Sequence, residues 1–250
     1  LEVISSQKIS VGPPFYHKLI VPLLIPFLIF MTLGPKLKWI KSDLENKIYL
    51  FVLFIVSLLL SFFITKNLDS NFLISTILIG SSFYLFFSTI RDFFQKKSKN
   101  LQQNIAHFGF SLLILSILFN NIFSREVITN LKVGESFKNN RFEIIFNDLT
   151  QTNKKNYISF KGSFIVKENN VENKLEPELR VYNQPNIITS EADIKTTFLT
   201  DKFITMNSVQ NEKYFNIRYQ VKPFMLWIWI SVIIIILGGL KSLFKKKYEK

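Results

Sequence analysis

Five long apolar runs punctuate the sequence, and the stretch between the fourth and fifth follows a different rhythm. Residues 17–34, 48–64, 71–90, 103–123 and 223–240 are each apolar for close to the length a helix needs to cross hydrocarbon, about 20 residues. Apolar positions fill all faces of these runs, as in helices surrounded by lipid and other helices. Pro22 and Pro26 fall inside the first run, and membrane helices tolerate such kinks where neighbours satisfy the freed carbonyls. Gly12, Pro13 and Pro14 precede it and predict a stiff, extended lead-in over residues 1–16.

From 124 to 222 the runs shorten. REVITNL, RFEIIFNDL, NYISFKGSFIVKE, LEPELRVY, DKFITMNSV and YFNIRYQV interleave polar with apolar or aromatic residues, at the two-residue period of a half-buried strand. KVGES, FKNNR, QTNKKN, KENNVENK and NQPN separate them with turn chemistry, and Asn-rich spacers such as Asn169–Asn173 read as hairpin loops. The predicted fold class is an α-helical polytopic membrane protein of about five transmembrane helices with an inserted extracytoplasmic antiparallel β domain, a small sandwich or barrel.

Charge orients this arrangement. Lys36, Lys38, Lys41 and Lys47 lie between the first and second runs, Arg91, Lys96, Lys97 and Lys99 between the third and fourth, and Lys241, Lys245, Lys246, Lys247 and Lys250 after the fifth. Five crossings put all three clusters on one side, which the positive-inside rule makes cytoplasmic or matrix, with 241–250 a basic tail there. Residues 1–16 and 124–222 then fall outside. The formal charge of +13 at a mean hydropathy of +0.22 is thus juxtamembrane charge, not a nucleic-acid footprint. Trp227 and Trp229 head the fifth run, where an interfacial aromatic belt would place them. Cysteine is absent, which excludes disulfides, thiolate ligands and a thiol nucleophile within this chain. The chain opens on Leu1 without a signal-peptide pattern, as expected of a processed or truncated product or a C-terminal fragment.

Nucleotide-loop, zincin and serine-hydrolase motifs are missing, and the outer carboxylates are scattered among lysines. His107 stands apart. It lies about one turn inside the fourth run, with Gly109 two positions on and Ser111 on the same face. An imidazole there costs free energy unless partnered, so it is either an interhelical hydrogen-bonding group or a metal or haem ligand. Gly109 would let a flat partner such as a porphyrin, or another helix, come close. His17, the other histidine, belongs to the opposite membrane side, too far across ~30 Å of hydrocarbon to share one iron with His107. No acidic and basic pair is evident within the apolar runs, which weighs against ion coupling.

Three stretches carry a resemblance to the C-terminal part of the CcmF family, the haem lyase subunit of the cytochrome c maturation system. They are KISVGPPFY at Lys8–Tyr16, NIAHFGFSLLILSI at Asn104–Ile117 and RYQVKPFMLWIWISVIIIILGGL at Arg218–Leu240. In order and spacing the resemblance covers essentially the whole chain. It implies a multi-pass protein of the bacterial (or mitochondrial) inner membrane, with its β domain in the periplasm or intermembrane space. It implies receipt of haem from the chaperone CcmE, a part in covalent attachment of haem to apocytochrome c, and partnership with other maturation subunits such as CcmH. His107 matches one axial ligand of the family's integral haem b, and the second would come from outside this chain. The family's WWD haem-transfer segment and its flanking histidines have no counterpart here, so no catalytic residue is assigned and no role passes to His17. The competing expectations are a membrane transporter subunit and a structural anchor that presents the β domain to a partner.

Overall fold

The computed structural model describes residues 13–36, 47–66, 72–94, 101–168, 171–208 and 213–243. The expectations for residues 1–12, most of the first two basic clusters, Asn169 and Asn170, and the tail from 244 fall outside the described residues. By contacts the chain divides into two units, residues 1–118 with 228–250 and residues 119–227.

The first unit holds the helices α1 (Pro13–Leu33), α2 (Lys47–Thr65) and α3 (Phe72–Phe94) and most of α4 (Leu101–Phe123) and α5 (Met225–Leu243). All five are long and apolar enough to cross a membrane. α1 begins at Pro13, not at 17, so residues 13–16, expected in an extended lead-in, are helical. In the first turn of a helix a missing N–H breaks no bond and the fixed φ suits the helix, so Pro13 and Pro14 start α1 instead of delaying it. α3 runs to Phe94, past the expected 90. Its polar last turn is held from both sides. The Arg91 guanidinium sits 3.7 Å from the centre of the Tyr49 ring on α2, and Asp92 meets Lys36 at 3.6 Å.

Leu28, Leu78 and Leu85 form the buried contact of α1 with α3, and Phe110, Ile114 and Leu118 of α4 pack on it. Hydroxyls buried among these apolar helices are satisfied locally. Thr32, Ser57, Ser81 and Ser82 each donate to the carbonyl four residues back, at 2.8–2.9 Å. Two hydroxyls fasten α2 to α3, Ser61 donating to the Thr76 carbonyl at 2.7 Å and Thr65 meeting the Thr76 hydroxyl at 2.6 Å. Such bonds matter in lipid because water does not compete for them.

The second unit is a β sandwich. Its strands are β1 (Arg125–Leu131), β2 (Ser136–Lys138), β3 (Phe142–Asn153), β4 (Tyr157–Glu168), β5 (Val171–Leu175), β6 (Glu178–Tyr182), β7 (Ile187–Glu191), β8 (Asp193–Thr196), β9 (Thr200–Ser208) and β10 (Phe215–Pro223). One sheet has the order β1-β10-β9-β8 and the other β2-β3-β4-β6-β7, with β5 also paired to β4. All pairs are antiparallel. Leu131, Ile204, Met206, Ile217 and Tyr219 of the first sheet face Phe142, Ile144, Phe146, Phe164, Val166, Leu175 and Leu179 of the second. Phe146 and Phe164 stack at 4.3 Å between ring centres. Two inner faces interdigitating in this way are what define a sandwich.

The six alternating runs all become strands. KVGES, FKNNR and KENNVENK were expected to be turns throughout, yet they contribute the short strands β2 and β5. The turn chemistry itself is where it was expected. Gly134 takes φ +88°, a conformation that disfavours other residues. Asn139 accepts from the backbone N–H groups of Arg141 and Phe142 at 2.9 and 2.8 Å.

Candidate functional site

α4 brings His107 into the helix unit. His107, Phe110, Ile114 and Leu118 follow one another at helical spacing along one side of α4, and the last three pack against α1 and α3. His107, near the start of this row, is only half-buried. Its ring makes no hydrogen bond to another described residue. Ser111, expected beside it, is buried and donates instead to the Phe108 carbonyl at 2.9 Å, within its own helix. The orientation of α4 is fixed by aromatics. Phe108 stacks on Phe86 at 5.5 Å and meets Phe93 edge-on at 5.8 Å, both on α3, and Phe110 meets Phe27 of α1 edge-on at 5.8 Å.

Gly109 does something other than cradle a flat group. A Cβ there would lie 2.8 Å from Ile235 Cγ1 and 2.9 Å from Ile235 N, so the space above it is filled by α5. The reciprocal contact is Gly238 of α5, whose added Cβ would lie 2.7 Å from the backbone N of Ala106. The two small-residue contacts lie one turn apart and let the α4 and α5 backbones touch. The second alternative for this glycine, close approach of a helix, is therefore the one realised, and porphyrin packing over Gly109 is displaced by α5.

The chain also assembles a polar group that its apolar runs did not announce. At the ends of α1 and α3 next to the basic loops, Lys36 hydrogen-bonds Ser88 and pairs with Asp92 at 3.6 Å. Both residues of the pair lie just beyond the apolar runs 17–34 and 71–90, so it borders the spans and does not line a path through them. Lys36 and Asp92 are far apart in sequence, and only the α1–α3 packing joins them. His17 falls on the first turns of α1, where the backbone alone is described. Among the described residues no three His, Asp or Glu side chains gather as a metal site.

Residues 122–223 match the family described as the CcmF C-terminal beta-sandwich. Over 97% of its length the chain is 27% identical to the cytochrome c-type biogenesis protein CcmF of Haemophilus influenzae and 25% identical to that of Escherichia coli. It spans about 40% of the length of these curated relatives. A solved structure of the cytochrome c heme lyase CcmF superposes with a TM-score of 0.73 over 93% of this chain and 41% of its own, at 18% identity. In sequence and in fold, the chain corresponds to the C-terminal part of CcmF proteins.

Proposed function

We propose, from this likeness to the C-terminal part of CcmF, that the chain serves cytochrome c biogenesis as the haem-retaining portion of a haem lyase. Haem would arrive from the chaperone CcmE and be joined to apocytochrome c, with other maturation subunits such as CcmH as neighbours. The observation that supports this best is His107, an imidazole in a membrane-length helix, half-buried and without a hydrogen bond among the described residues. Among the described residues, the interhelical hydrogen bond that would explain it in bland terms is not made. A neutral imidazole nitrogen left available in apolar surroundings suits an iron ligand.

The residues present fit one side of a haem site. His107 would ligate the iron of a haem b, and a second protein ligand would come from outside this chain. Bound there, the haem would supply an iron centre able to change oxidation state. The chain's own contribution is positional. The Phe108 contacts to Phe86 and Phe93 fix the rotation of α4 and hence the direction of the imidazole. The α5 contact at Gly109 holds α4 from its other side. A transporter reading gains only the Lys36–Asp92 ion pair, and it lies at the ends of the candidate spans, not midway along a path.

The test is spectroscopic. The chain is assembled with the N-terminal part of a CcmF relative, and the product should show a low-spin haem with two histidine ligands. His107→Ala should lose that spectrum or leave a loosely held high-spin haem, while His17→Ala should keep it. An unchanged low-spin spectrum in His107→Ala would refute the ligand assignment.

A further inference from the structure

We infer that the turn between β8 and β9 is a membrane-seating wedge, by which the β domain inserts Phe198 and Leu199 into the phospholipid interface beside the head of α5. The inference depends on α5 crossing the membrane and is independent of the haem reading.

The strand register locates the turn. Arg125, the first residue of β1 after α4, pairs with Val221, and Pro223, the last residue of β10 before α5, pairs with Thr200. Thr196 pairs with Asp201 on the next strand. The β8–β9 turn therefore lies at the same end of the four-stranded sheet as both helix connections. The opposite end, with Leu131, Phe215 and Ser208 in register, is about 25–30 Å away along β9.

Direct contacts then fix the turn to the entry of α5. The Phe224 N–H donates to the Leu199 carbonyl at 2.7 Å. The Trp227 indole N–H donates to the Phe198 carbonyl at 3.0 Å, and its ring meets the Phe198 ring edge-on at 5.0 Å. Phe224 holds φ at +61°, a conformation that a bulky residue adopts only under constraint. The bond to Leu199 is part of that constraint. Asn120 near the end of α4 donates to the Pro223 carbonyl at 2.6 Å, and the Phe119 and Phe224 rings lie 5.4 Å apart. The end of α4, the start of α5 and the β8–β9 turn thus share one level.

That level is the membrane boundary, because Trp227 is the third residue of a candidate span that runs from Met225 to Leu243. Indole rings favour the headgroup zone. Phe198 and Leu199 are 64% and 53% exposed, in a four-residue turn closed by Thr197 and Thr200. Paired large apolar side chains at a hairpin tip are costly in water, and at this height they meet acyl chains instead. Lys195 on β8 and Lys222 on β10 flank the tip and would meet acidic headgroups. The occupant of this surface is accordingly lipid.

The chain has no cysteine of its own, so single cysteines report cleanly. Leu199→Cys, Phe198→Cys and, as the far-end reference, Val133→Cys are made in the full chain. Each is labelled with bimane and placed in nanodiscs of phosphatidylethanolamine and phosphatidylglycerol. Quenching is compared between lipids with a headgroup or shallow acyl nitroxide and iodide in water. Positions 198 and 199 should be quenched several-fold more by the lipid nitroxide than position 133, and position 133 should respond to iodide. Because the Leu199 side chain is exposed and only its carbonyl bonds Phe224, Leu199→Cys keeps the turn intact even if Phe198→Cys loosens it. Iodide access at 199 equal to that at 133 would overturn the inference. So would shielding of 199 from both quenchers, which would indicate that protein covers the tip.

Discussion

Asp201 shows what a single buried side chain costs. It is 8% exposed on β9, and its Oδ1 has no hydrogen-bond partner among the described residues. Burial raises its pKa above the ordinary 3.8, against the lowering effect of the Thr196 hydroxyl. The folded chain therefore holds this proton more tightly than the unfolded chain. The penalty of ionisation is absent below the unfolded value, grows as pH rises from 3.8 towards the folded value, and is complete above it. Asp201→Asn should stabilise the protein at pH 7 by about 1 kcal/mol. Denaturant titrations of the two proteins should show the gap closing as the pH is lowered towards 4. A pH-independent difference would mean that the carboxylate charge is not what the burial disfavours. His107 belongs to the same scale, since its spectroscopic test reads one imidazole. Its residue type and depth were visible in the sequence, but the absence of a hydrogen bond to any other described residue was not.

Among the elements, α4 and α5 make the sharpest case. Gly238 and Gly239 adjoin in sequence, yet an added Cβ at Gly238 meets the Ala106 backbone while one at Gly239 meets nothing within 4 Å. A backbone neighbour cannot turn aside as a side chain can. Gly238→Leu should push the helices apart and cost about 1–3 kcal/mol, whereas Gly239→Leu should be close to neutral. Thermal unfolding of both variants in the same detergent tests the pair, and equal losses would refute the packing. The β elements divide by length. Long strands such as β3 and β4 carry enough alternation to be read from sequence. β2, β7 and β8 have three to five residues, too few for a period, and they exist because a longer neighbour offers unpaired backbone groups.

For the whole molecule the governing constraint is the membrane. Five candidate spans with basic residues beside alternate connections predict a single orientation. Residues 124–222 should then be extracytoplasmic and the loops at 35–47 and 91–102 cytoplasmic. Lys154→Cys and Lys97→Cys, made singly, should react with an impermeant maleimide from opposite sides of sealed vesicles. Labelling from the same side would reverse the topology. The same orientation would put His107 near the cytoplasmic side and the β8–β9 tip at the outer one, so the proposed haem ligation and the proposed membrane seating can be tested separately.

Hydropathy runs, lysine placement and strand alternation determined the five helices, their expected orientation and the presence of an antiparallel β domain, because each is a property of residues close together in the chain. The likeness to CcmF and the candidacy of His107 were legible for the same reason, as short ordered motifs. The tertiary structure alone decided the rest. It joined Lys36 to Asp92 across α1 and α3, laid α5 over Gly109 where a porphyrin had been conceivable, and started α1 at its prolines. It also brought Phe198 to Trp227, 29 positions away. These outcomes depend on which helix faces which and on strand register. Both are set by the summed packing of many side chains, and no local pattern encodes that sum.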